Sequence, residues 1–509
     1  MALNLNFSRA RQSRYHAKLD TPLLRFGREN WFIRDAVEAT AIFGAPGAGK
    51  SSSSARAIIM AFLLSNMGGL VLCAKNGEAN TIRSYAKETG RTEDLIFVDA
   101  SGAHRFNILS YAAQKLGGQG FEQNLVELMA RMIEASRVAG NTGGGDGENR
   151  FFVDAAMKWL SHVFPLLLVA YGTIRMEDLN RFIASAPQNP QEVESNEWRE
   201  KSFCSQTLAR VMQVIQEAHA AGKPNRYAMQ VVAEHTEFWL VELARLDNKP
   251  RSSIEATLTN MIYPFLAGKL KELFCTTTTV TPEMCRDGKI IVMDLPVHTY
   301  GAAGAVAQTI FKYLFGIAVQ TTKITRKTRP VFLVADEAQN FLNSADADLL
   351  ATARSSKTCI VYITQDLPTY YAKLGANARD TAESILSKFG TRIFHANTSR
   401  ETNNYASEII GKVEKFHLTK SRSKGASAGV GGSHQDEGGG FQGNRGGNIG
   451  SSESTSGYLD YEIPPDYFAT KLRNGGPRNH LKVDAILIRN ARTWKRTKRH
   501  WIQAEFSQK

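Results

Sequence analysis

Gly44-Ala45-Pro46-Gly47-Ala48-Gly49-Lys50-Ser51 fills every fixed position of the phosphate-binding loop pattern G-x-x-x-x-G-K-[ST]. A short apolar run, Thr40 to Phe43, precedes it, and a helix-like stretch, Ser52 to Leu64, follows it. That strand–loop–helix setting is the one in which the pattern carries chemistry. The glycines let the backbone curl so that successive N–H groups face a phosphate chain, and the helix opening at Ser52 adds its positive end. Lys50 is then expected to reach the β- and γ-phosphates, and the Ser51 hydroxyl to meet Mg²⁺. Residues Gly44 to Ser52 therefore predict a nucleoside triphosphate site, with ATP and Mg²⁺ as its ligands.

Around this loop the chain reads as alternating strands and helices. Gly69 to Ala74, Leu95 to Asp99, Lys289 to Asp294, Pro330 to Ala335, Cys359 to Thr364 and Arg392 to Phe394 are apolar, strand-like runs. Such alternation predicts an α/β fold with a mostly parallel sheet and helices on both faces. Between Gly117 and about Ala244 the period changes to helical, as in Leu125, Leu128, Met129, Met132 and Ile133, with polar loops around Ala186 to Glu200. The domain reading is a nucleotide-binding unit of residues 1–109 and 247–509, interrupted by an all-α insertion at 110–246. Lys424 to Gly457 is rich in Gly and Ser and poor in apolar residues, which predicts a flexible loop.

The 509 residues carry 62 basic and 49 acidic side chains, a net charge of +13 that favours an anionic partner: DNA, RNA or an anionic membrane surface. Near the C-terminal end Arg489, Arg492, Lys495, Arg496, Lys498 and Arg499 cluster with Trp494 and Trp501. The run reads as a solvated face, with direct DNA contact as the functional alternative. Five cysteines without a C-x-x-C pair, and a basic start lacking a secretory signal, point to a reducing, cytoplasmic setting. Ala57 to Ala74 is broken by Ser65 to Gly69, and Val163 to Tyr171 is nine residues with Pro165 inside, so neither is expected to span a bilayer.

A phosphate loop needs one carboxylate for Mg²⁺ and another to polarise water. Val331 to Glu337 supplies both: a buried strand whose end presents Asp336 for the metal and Glu337 as general base. Gln365 ends the strand Cys359 to Thr364 on the same rim and is expected to sense the γ-phosphate or orient the water; an amide capping the next segment is the plainer reading.

With these residues placed, the chain resembles the type IV coupling proteins of bacterial conjugation and type IV secretion, TraG/TraD-like ATPases related to FtsK and HerA. Other segments carrying the resemblance are Lys75-Asn76-Gly77-Glu78, Phe106 to Leu109, Asp287 to Pro296, Thr364-Gln365 and the Pro464, Pro465, Phe468 element. The resemblance implies a RecA-like motor with an inserted all-α domain, assembled as a homo-hexamer that moves DNA. It also implies Arg354, between the Asp-Glu and Gln strands, as a finger reaching the neighbouring subunit's site. Relaxase or relaxosome proteins would be partners. Where most of the family begins with transmembrane helices, this chain enters its nucleotide domain near Trp31, so either a separate membrane component would recruit it to the inner membrane's cytoplasmic face or it would work away from the membrane. Two other readings share features with it: a HerA- or FtsK-like translocase in repair, segregation or packaging, and a nucleotide-dependent recruitment adaptor.

Overall fold

The computed structural model describes residues 18–116, 120–140, 148–374, 378–428 and 445–509. Its centre is a nine-stranded sheet. The strands are β3 (Thr40–Phe43), β4 (Gly68–Leu72), β5 (Leu95–Val98), β6 (Ile290–Met293), β7 (Val331–Ala335), β8 (Thr358–Thr364), β9 (Thr391–Phe394), β12 (Lys482–Arg489) and β13 (Trp501–Ser507). Their spatial order is β13-β12-β9-β3-β8-β7-β4-β6-β5. The seven from β9 to β5 run parallel, and β12 and β13 close one edge antiparallel.

Burial explains why these runs become strands. All residues of β3, β4, β6, β7, β8 and β9 are buried, so they read as continuous apolar runs rather than alternating ones. Successive side chains still serve opposite faces: Ala41 and Phe43 join one core, and Ile42 joins the other. Helix Arg56–Leu64 and the hairpin of β1 (Pro22–Phe26) and β2 (Glu29–Phe32) cover the second face. The long helix Val297–Thr321 covers the first.

Between β5 and β6 the described secondary structure is helical. Helix Gln123–Gly140 lies along Val297–Thr321, and the core continues from the sheet into these helices without a break. The stretch around Ala186 to Glu200, expected as loop, contains the short helices Pro190–Glu194 and Asn196–Lys201. Asn189 and Ser195 cap them by accepting the backbone N–H groups of Glu192 and Trp198. Helix Glu148–Tyr171 runs through Pro165 rather than stopping there; packing against the helices Phe203–Ala220 and Asn248–Ile262 holds it despite the missing N–H. Among the described residues two helices, Arg150–Tyr171 and Val297–Thr321, are long and apolar enough to cross a membrane, and 78% of the second one's apolar window is buried inside the protein.

The Gly- and Ser-rich stretch corrects the expectation of a loop. β10 (Lys412–Ala428) and β11 (Arg445–Tyr461) form an antiparallel ribbon in continuous register from Lys412↔Tyr461 to Ala428↔Arg445. Ladder bonds are made by the backbone, so a chain of Gly and Ser extends a register set at the ribbon's base. Residues 429–444 of the expected loop lie outside the described residues. The basic C-terminal run is also only partly the solvated face expected of it. Arg489 and Arg492 pair with Asp35, Trp494 is fully buried beneath the Arg489 guanidinium at 3.7 Å, and Trp501 opens β13.

Candidate active site

Parallel strands present their C-terminal ends on one rim, and the predicted site residues other than Arg354 occupy that rim. The phosphate loop leaves β3, Asp336 and Glu337 leave β7, and Gln365 leaves β8. The Gly44 N–H donates to the Gln365 carbonyl at 3.2 Å, which stitches loop and strand end together. Gly47 and Gly49 have φ of +75° and +85°. At Gly49 a Cβ would also come within 2.7 Å of Val483, so only glycine fits there. The chain turns into Arg56–Leu64 through one π-helical turn, Ser51–Ala55.

Lys50 is buried, and its Nζ donates to the Gly44 and Ala45 carbonyls at 2.5 and 3.2 Å. Burial lowers its pKa, while Glu337 and Asp336 pull the other way. The Ser51 hydroxyl donates to Asp336 Oδ2 at 2.8 Å. This hydroxyl–carboxylate pair fits an octahedral Mg²⁺ that takes few protein ligands and keeps phosphate and water for the rest. Among the described residues no group of three His, Cys, Asp or Glu could form an all-protein metal cage.

Glu337 has a left-handed backbone, φ 48° and ψ 48°, a strained conformation for a residue with a Cβ. Its carboxylate accepts hydrogen bonds from Lys75 Nζ, from Gln339 Nε2 at 2.6 Å and from Gln365 Nε2 at 3.2 Å. Burial would raise its pKa, but these three donors outweigh burial and hold the carboxyl below its ordinary value. Gln339 is itself fixed by the Thr364 hydroxyl, 2.9 Å from its Oε1. Glu78 accepts the N–H groups of Ala74 and Lys75 at 2.7 and 3.2 Å, shaping the turn that delivers Lys75. Burial, with the charge of Asp336, pushes the Glu78 carboxyl up to about 8. Behind the loop, fully buried His395 meets the Ser54 hydroxyl at 2.7 Å, and burial followed by the Lys50 charge brings its pKa down to about 3.

Arg354 stands apart. It follows helix Asp346–Thr352 and precedes β8, so it lies at the opposite rim of the sheet. Seven residues of β8 separate the rims by about 20 Å, beyond the reach of its own chain's phosphate loop. Its side chain is 69% exposed and sits 3.7 Å from Glu38.

Lys75, Gln339, Glu78 and His395 join the residues expected from sequence. A lysine directly after a buried strand was the available signal for Lys75, but the inserted Asn76 obscured it. Gln339 and His395 gave none, because their roles arise from contacts across strands.

The fold and rim define a RecA-like P-loop protein of α/β class. Residues 330–446 match the family described as the TraM recognition site of TraD and TraG. The fold is that of the bacterial conjugative coupling protein TrwB. Its unbound form matches with a TM-score of 0.55 and 13% identity, over 94% of this chain and 87% of that one. TrwB with the GTP analogue GDPNP gives 0.54 at 13% identity with the same coverage, and TrwB with ADP and Mg²⁺ gives 0.52 at 14%, over 94% and 86%. No curated protein matches the chain. The family match is confined to residues 330–446, and the TrwB structures show that most of the chain shares their fold.

Proposed function

We propose that the chain is an ATP-hydrolysing coupling protein that moves DNA from a relaxase complex towards a type IV secretion channel. The observation that carries it is Glu337: ionised, strained and aimed by Lys75, Gln339 and Gln365 beside the Ser51–Asp336 pair. Lys50 and the amides of Gly44 to Ser52 would hold the phosphates, and Ser51 with Asp336 would hold Mg²⁺, which neutralises developing charge on the phosphoryl oxygens. Glu337 takes the proton of the attacking water, and Gln365 links that carboxylate to the loop beside the phosphates. A site that only bound nucleotide would need no such base.

Arg354 lies out of reach of its own chain's phosphate loop, and in a homo-hexameric ring its exposed guanidinium would serve a neighbour's nucleotide. The segment matched at 330–446 favours a relaxosome protein of the TraM kind as one partner. DNA is contacted at its phosphates, and a membrane component of the secretion system is a partner at the cytoplasmic face of the inner membrane.

Glu337→Gln tests the reading. ATP affinity should be kept while steady-state hydrolysis falls by at least about a hundredfold. Unchanged hydrolysis would remove Glu337 from the chemistry, and a wild-type protein that binds ATP without turnover would make the chain an adaptor instead.

A further inference from the structure

On the rim opposite the phosphate loop, the β1–β2 hairpin and the β12–β13 connection enclose a cleft of about 420 Å³. Arg28, Arg34, Arg489, Arg492 and Lys495 line it against only two acids, Glu29 and Asp35. The acids are already committed. Asp35 holds Arg492 at 2.7 Å and Arg489 at 3.6 Å, and Glu29 accepts the N–H of Arg496. The two inner guanidiniums are thereby fixed. Arg489 is 8% exposed, stacked on Trp494, and its Nε has no hydrogen-bond partner among the described residues. Arg28 and Lys495, at the mouth, are exposed and have no acidic partner among the described residues.

Arg492 is spent on Asp35 and Glu38, and Arg489 on Asp35 and the Thr493 carbonyl, so these two shape the wall. The exposed cations Arg28 and Lys495 at the mouth are the donors left to meet phosphate oxygens. The charge also continues past the cleft: Arg496 and Lys498 in the same connection are exposed and free of ion pairs among the described residues. A single nucleotide would not need that extension; a chain of phosphates would.

We propose that this cleft and the connection Asn490–His500 form a second phosphate site, which holds the backbone of a nucleic-acid strand. The strand is gripped at charge and shape rather than by base, so binding is sequence-tolerant and salt-dependent. The inference rests on the proposed function only in taking nucleic acid as the partner.

The test is fluorescence anisotropy with a labelled single-stranded oligonucleotide across a salt series. It compares wild type with the triple variant Arg28→Gln, Lys495→Gln, Lys498→Gln, which leaves the buried pairs intact. A control triple, Lys87→Gln, Lys223→Gln, Arg226→Gln, removes equal charge elsewhere. The cleft triple should bind at least about tenfold more weakly, and the slope of log K against log salt should shrink by about 0.7 for each phosphate no longer neutralised. Equal loss in both triples, or none in the cleft triple, would overturn the inference. So would a cleft triple that loses ATP affinity while keeping the oligonucleotide. Failure of the wild type to bind any oligonucleotide would instead contradict the proposed function.

Discussion

Glu337 is a buried carboxylate kept ionised by three donors, and this balance sets how the site answers to pH. Its folded pKa lies below the ordinary value, so the base stays ionised to lower pH than a free glutamate would. The stability it contributes is present above the unfolded value and lost as pH falls through the folded one. Lys75→Ala removes a charged donor, so the acidic limb of the kcat–pH profile should move upward. An unmoved limb would show that Lys75 does not tune the base. At this scale the sequence was informative only where function is written in neighbouring residues. Lys50, Ser51, Asp336 and Glu337 were legible because a loop and a strand end present them locally. Lys75 meets Glu337 across 262 positions, which no local pattern records.

Elements were legible where burial was complete and faded where context replaced composition. Every parallel strand showed as an apolar run; in all but the half-buried edge strand β5 this is because both faces are covered. The β1–β2 hairpin escaped notice, since Leu23-Leu24 breaks alternation within a five-residue strand. β13 was hidden by the basic run before it, although its burial alternates at Ile502, Ala504 and Phe506. The ribbon β10–β11 is a pairing of backbones, and its Gly and Ser residues signal nothing of it.

The ion pair between Lys312, on helix Val297–Thr321, and Asp346 joins two elements, and both side chains are almost fully buried. Asp346 also accepts from the Tyr362 hydroxyl at 2.9 Å and from the Asn343 N–H at 2.9 Å, fixing the helix that leads to Arg354. Lys312→Ala would leave a buried carboxylate without its charge partner. Denaturant unfolding should show a loss of about 3–5 kcal/mol, whereas a loss near zero would mean that water reaches the pair.

For the whole molecule, the sheet separates two functions. One rim carries the phosphate loop, the metal pair and the base; the other carries Arg354 and the basic cleft. Glu38 ties the second rim together, since the same Oε1 meets Arg492 at 2.6 Å and Arg354 at 3.7 Å. On the proposed reading, a site is complete only when one copy's second rim faces another's first. Hydrolysis per subunit should therefore rise with protein concentration, and an excess of Lys50→Ala subunits, which retain Arg354, should rescue turnover in Arg354→Ala subunits. Absence of rescue in mixed assemblies would place Arg354 outside the chemistry.

The most direct measurement is steady-state ATP hydrolysis with and without single- and double-stranded DNA, on wild type beside Lys50→Ala, Glu337→Gln and Arg354→Ala. DNA should stimulate the wild type strongly, and each substitution should abolish the stimulated rate. ATP binding without turnover on any DNA, or full activity in Arg354→Ala, would contradict a DNA motor whose sites form between subunits.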